Sequence, residues 1–169
     1  MTVDRAVSIL ARFGAAQTAL IAQFRELAPG SGEHQPAADA WSAAQIVCHV
    51  AMANEWAAGV LTGATPLAQP APAGFGERAT PIDIPRVPRQ KTFPLPPPTV
   101  VGAEAALERL RASGHRLSKA IASLTPERGS GYCVTLPFGT ISLFELAELT
   151  TAHVARHTSQ VEKTLTDAY

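Results

Sequence analysis

Two histidines, His153 and His157, stand four residues apart in the stretch from Ser142 to Leu165, the clearest helical pattern in the chain. At 3.6 residues per turn they are offset by about 40°, with Cβ atoms roughly 6 Å apart, so both rings leave one face. That face continues through Leu146, Thr150 and Gln160, where a core is expected. A third histidine, His49, falls on the stripe Ile46, His49, Val50, Ala53, Trp56 or Ala57, and Val60 of another helical stretch. One buried imidazole can stay neutral against a carbonyl. Two on one turn are harder to satisfy, because burial disfavours their charged forms and each still needs a donor and an acceptor partner. A divalent cation accepts both lone pairs. A third inward histidine completes the three-protein-ligand pattern of an open catalytic site. The pair is not a zincin motif, which needs a Glu after the first histidine.

Other polar residues read more simply. His34 lies in a Pro/Gly-rich loop, and His115 lies roughly 140–160° around its helix from Leu110 and Leu117, so both face solvent. Cys48 neighbours His49 but points about 100° away, toward packing. Glu145 reads as a helix cap and Arg156 as one half of a surface ion pair. Gln160, one turn beyond His157, either orients a ligand or makes a core polar contact. Trp41 and Trp56 read as core or staple residues. No residue stands out as a general base, so the catalytic residues stay unassigned.

Four helices must position the histidines. Thr2 to Leu27 keeps apolar residues at Ile9, Leu10, Phe13, Leu20, Phe24 and Leu27, with Gly14 as an interruption. Ser42 and Gln45 form a capping box preceded by Trp41, and that helix stops at Gly63. A third helix is expected from about Val101 to Leu124, with Thr99 as its cap and Leu107, Leu110, Leu117, Ile121 and Leu124 as its stripe. Ser142 and Glu145 form a second capping box at the start of the fourth. Ten of the fourteen prolines fall between 64 and 100, which opposes continuous helix or central strand there. That stretch is expected to be an extended crossover packed through Phe75, Ile82, Ile84, Val87, Phe93 and Leu95, or a lid over the site. Thr125-Pro126-Glu127 suggests a short capped turn. Tyr132 to Thr140 suggests a brief hairpin too small to build a sheet. The expected architecture is a single domain over 1–169, an all-α four-helix bundle whose core can carry a metal site.

Composition bounds the class. The chain has 169 residues, 46% hydrophobic and 17% charged, which suits one globular domain with a sizeable core. Fourteen basic residues balance fourteen acidic ones, giving no electrostatic case for nucleic acid or anionic membrane. No uninterrupted apolar run reaches 18 residues, and the N-terminus, with Asp4 and Arg5, does not read as a signal peptide. Two distant cysteines, Cys48 and Cys133, make a disulfide framework unexpected and a reducing cytoplasm the default. A homodimer face stays open.

The segment Trp41-Ser42-Ala43-Ala44-Gln45-Ile46-Val47-Cys48-His49, followed about a hundred residues later by His153-Val154-Ala155-Arg156-His157-Thr158-Ser159-Gln160, resembles the DinB/YfiT-like superfamily. The resemblance covers nearly the whole chain. It implies an up-down-down-up bundle with a divalent metal held by His49, His153 and His157. Some relatives are thiol-dependent transferases or isomerases acting with bacillithiol, mycothiol or glutathione. The expected function is therefore a metal-dependent enzyme of the thiol S-transferase type acting on a small molecule. The alternatives are a metal-dependent hydrolase and a non-enzymatic metal-stabilised structural or sensor module. Three neutral imidazoles suit Zn, Ni, Fe, Mn or Co.

Overall fold

Each long helix begins where a local signal or a tertiary contact satisfies its first free N–H groups. The computed structural model describes residues 4–27, 29–78, 98–99 and 102–166. Helix α1, Arg5–Arg25, starts at Asp4, whose carboxylate accepts the Ala6 N–H at 3.0 Å. Helix α2, Ala43–Thr62, has the full Ser42/Gln45 capping box and ends at Gly63 in the left-handed region, φ 85°. Helix α3 spans Ala103–Ala122. A six-residue helix α4, Pro126–Gly131, follows the Thr125 cap, and helix α5 runs Leu143–Thr166.

The expected third-helix start needs correcting. Thr99 is exposed and does not cap; the N-cap is Gly102, which has no side chain to offer. The free Ala103 N–H instead donates to Glu33 at 2.7 Å, from a 3-10 turn at Ser31–Glu33. A tertiary contact replaces the local cap, which sequence periodicity does not reveal. The first helix is also shorter than expected, with Glu26 and Leu27 already beyond it.

Helices α1 and α2 each pack on both α3 and α5, so the four long helices surround one core. Ile9, Phe13 and Leu20 from α1 meet Ile46 and Val47 of α2, Leu110 and Leu117 of α3, and Leu146 of α5 in one buried cluster. Every residue of α2 from Ala43 to Ala51 is buried, so its first half is covered on all sides. The sequence stripe named only one side of it.

The all-α expectation is corrected by a three-stranded sheet. The hairpin exists as β2, Tyr132–Leu136, and β3, Gly139–Ser142, paired from Cys133↔Ser142 to Leu136↔Gly139. A third, two-residue strand β1, Gln69–Pro70, joins antiparallel, with Gln69 opposite Cys133. Proline is tolerated there because β1 is an edge strand that uses few ladder donors. The buried Val134, Leu136 and Ile141 attach this sheet to the core.

Within the proline-rich stretch, Phe75 is partly buried as expected. Ile82, Ile84, Val87, Phe93 and Leu95, and with them the choice between lid and crossover, lie outside the described residues.

The start of that stretch is tied to α5. The Ser142 hydroxyl accepts the Glu145 N–H at 3.0 Å and donates to Glu77. The Glu145 carboxylate takes the Ser142 N–H at 2.7 Å and the Arg78 N–H at 2.8 Å. Arg5 adds ion pairs to Glu77 at 2.6 Å and to Glu148 at 3.1 Å. The expected cap residue Glu145 therefore also anchors Arg78.

Candidate metal centre

Helix geometry delivers two of the three rings. His153 and His157 lie one turn apart on α5, and their Nε2 atoms stand 3.0 Å from each other. Helix α2, packed against α5, delivers the third: His49 Nε2 lies 3.1 Å from His153 Nε2. The ligand-capable atoms of the three residues all fall within 4.8 Å of one another. The rings meet edge to face, with centroids 4.4–5.1 Å apart. Trp41 closes one side, its ring 5.1 Å from that of His49. It is half-buried and serves both as the residue before the cap and as a wall of the site.

Burial keeps the cluster neutral. It lowers His49 from 6.5 to about 4. Burial, then the charge of His49, lowers His157 to about 4, against the opposing hydrogen bond that it donates to Gln160. His153 is held well below the usual imidazole range by burial first, then by the charges of His157, His49 and Arg156. All three imidazoles are therefore uncharged at neutral pH, the form that ligates metals.

The hydrogen bonding of the cluster is incomplete. His157 Nδ1 lies 2.8 Å from Gln160 Oε1, an acceptor only, so that nitrogen carries the proton and Nε2 presents its lone pair. His49 Nδ1 and His153 Nδ1 are buried with no hydrogen-bond partner among the described residues. Three Nε2 atoms converge on a space where a shared proton satisfies only part of their lone pairs. Nitrogens bound to one ion at about 2.1 Å stand roughly 3.0–3.4 Å apart for bond angles between about 90° and 109°, so the separations of His49 and His157 Nε2 from His153 Nε2 suit a shared ion.

The remaining residues singled out from the sequence take other places. His34 and His115 are exposed and stand outside the cluster. Cys48 is buried, with Arg109 Nη1 3.6 Å from its sulfur, and takes no part in the cluster. Trp56 is half-buried against the core. Gln160 spends its side-chain oxygen on His157 rather than on plain core filling. Glu77 and Arg78 were not singled out by the sequence; a lone acid–base pair in a proline-rich stretch carries no local signal of its long-range partners.

The sequence matches the DinB superfamily over residues 12–161. The chain belongs to the DinB superfamily. Its fold is similar to the crystal structure of TT2238, described as a four-helix bundle protein, with a TM-score of 0.63 and 19% identity over 94% of this chain and 98% of that one. That similarity speaks for the fold alone. None of the curated proteins compared matches the sequence.

Proposed function

We propose that His49, His153 and His157 hold one divalent metal ion through their Nε2 atoms, and that the protein is a metal-dependent enzyme of the thiol S-transferase type. The carrying observation is that the Nε2 atoms of His49 and His157 each lie 3.0–3.1 Å from that of His153, with all three imidazoles neutral and one outer nitrogen already oriented by Gln160. Three protein ligands leave further coordination positions open, as in catalytic rather than closed structural sites. A bound Zn, Ni, Fe, Mn or Co ion supplies Lewis-acid chemistry there, lowering the pKa of a coordinated thiol or water.

The chain's own residues do the rest. Gln160 fixes the tautomer and ring plane of His157. The Trp41 ring shields His49 from one side. The balanced charge of fourteen basic and fourteen acidic residues favours a small-molecule substrate over nucleic acid. The reading takes the bundle order as up-down-down-up, and two unpaired cysteines fit a cytoplasmic setting.

The test is a metal-quantified screen with several low-molecular-weight thiols and a generic electrophile. Turnover that requires both the metal and a thiol supports the transferase reading. Turnover without thiol on an ester or amide moves the assignment to a hydrolase. A fully bound metal that exchanges no water and binds no thiol moves it to a structural module.

A further inference from the structure

A metal site asks for ligand atoms placed to within about 0.5 Å. On α5 this is met locally, because His153 and His157 sit one turn apart on the same helix. His49 is the one ligand that α2 supplies, so its place depends on how α2 is rotated about its own axis. With the Cα about 2.3 Å from the axis and Nε2 roughly 4 Å further out, a turn of about 10° moves that nitrogen by about 1 Å. Burial does not choose the rotation. The first half of α2 is covered on every side, and the hydrophobic effect has no direction. The Ser42/Gln45 capping box does not choose it either, since its bonds lie within one turn of α2 itself. Directional contacts with the neighbouring helices are needed.

Such contacts meet at Asn54. It is fully buried on α2, five residues after His49, hence about 140° around the helix and roughly 7.5 Å along it. Its Nδ2 lies 3.4 Å from Gln17 Oε1 of α1 and 3.5 Å from Ser113 Oγ of α3. Gln17 Nε2 donates to the Leu110 carbonyl of α3 at 2.8 Å, and Ser113 Oγ donates to the same carbonyl at 2.9 Å. Gly114 makes room, because a Cβ there would collide with Gln17 Nε2. One buried polar cluster thus ties α1, α2 and α3 together, and Arg5 joins α1 to Glu148 of α5 at 3.1 Å. The pair of Arg109 with Glu55 at 2.7 Å adds a second tie between α2 and α3, but it is partly exposed and screened by solvent. As a stabiliser the buried cluster is poor. The two Asn54 contacts are long, and its Oδ1 is buried with no hydrogen-bond partner among the described residues. An apolar side chain of the same shape would avoid that desolvation cost. The amide supplies direction instead, because its contacts are made at one rotation of α2 and lost at others.

We infer that Asn54, through Gln17 and Ser113, is a positioning residue for the metal centre: it fixes the rotation of α2 and so holds His49 Nε2 against the pair on α5. The inference rests on the three-histidine metal site proposed above. The cluster gives up stability at Asn54 for a single setting of the helix that carries the third ligand, the use for which buried polar groups in helical cores are best attested.

The experiment is titration of the full chain with Co(II) at neutral pH, followed by visible absorption, beside urea unfolding of the metal-free protein. Asn54→Leu keeps the branch at Cγ and removes both amide atoms. Its urea midpoint should stay level or rise, since the unpartnered acceptor goes with the amide. Its Co(II) affinity should nevertheless fall about 10-fold, with altered absorption bands, as when a ligand loses the contacts that orient it. Gln17→Met should show the same split. Ser113→Ala, the mildest of the three changes, should show it too and serves if Asn54→Leu does not fold. Val60→Ala, in the core face of the same helix but outside the cluster, should do the reverse: a lower urea midpoint with wild-type affinity and bands. Wild-type affinity and bands in Asn54→Leu and Gln17→Met would overturn the inference and leave the three-histidine site standing. So would affinity that falls only in step with the urea midpoint across all four variants. A wild-type chain that takes up no Co(II), or takes it up equally after His49→Ala, would remove the site itself and the inference with it.

Discussion

Acid should destabilise the metal-free protein through its buried histidines, and the size can be worked from the site. His49 titrates near 6.5 when unfolded and at about 4 when folded, because burial opposes its charged form. The folded pKa is depressed, so between these values the unfolded chain binds the extra proton. The stability is therefore fully present above about pH 6.5 and is lost as pH falls toward 4. Across the whole window the difference amounts to about 3 kcal/mol for His49 alone. About 2 kcal/mol of it is gone by pH 5, before most carboxylates titrate. His157 adds to this, but its shift partly reflects His49 and the two do not sum. For a chain of this size, 2 kcal/mol lowers the melting temperature by roughly 4–8 °C. The assay is thermal melting of chelator-treated protein at steps between about pH 7.5 and 5, repeated with saturating metal. Metal should raise the melting temperature at neutral pH, and that gain should shrink with acid as protons displace it. A flat melting temperature in metal-free protein from pH 7 to 5 would refute the burial of neutral imidazoles. A metal-dependent gain that grows toward pH 5 would refute histidine ligation.

Four substitutions test the surroundings. A Cβ at Gly129 would lie 2.2–2.5 Å from Phe144 ring atoms, so Gly129→Ala should cost about 1–3 kcal/mol in urea unfolding; no loss would mean that α4 does not seat on Phe144. Gln160→Leu removes the acceptor for His157 Nδ1–H and should weaken metal affinity by about 10–100-fold in calorimetric titration, while unaltered affinity would leave Gln160 without an orienting role. Ser42→Ala should cost about 1 kcal/mol as a cap loss, and Ser142→Ala clearly more, because only Ser142 also donates to Glu77; equal losses in chemical denaturation would detach Glu77 from the fold's stability.

The fold was legible wherever the determining contacts are local. Both capping boxes, the Gly63 stop and the stripes of α1, α3 and α5 depend on residues within a turn or two of each other. His153 and His157 were legible for the same reason, and His49 because its own helix is periodic. What the sequence hid is non-local. The Glu33 contact with Ala103 spans 70 residues, and β1 pairs across more than 60, from Gln69 to Cys133. Buried polar contacts such as Gln17 Nε2 donating to the Leu110 carbonyl at 2.8 Å fall at positions where an apolar residue would fit the pattern as well. Periodicity also underestimates the first half of α2, since a helical segment covered on every side has no single stripe to find.

Metal stoichiometry tests the central claim most directly. Purified protein, saturated with a divalent ion and freed of excess, should retain about one ion per chain by elemental analysis. His49→Ala, His153→Ala and His157→Ala should each abolish tight binding, whereas His34→Ala and His115→Ala should retain the full ion, because both of those side chains are exposed. Full occupancy in the His153→Ala, His157→Ala double variant, with its helical circular dichroism unchanged, would contradict the account.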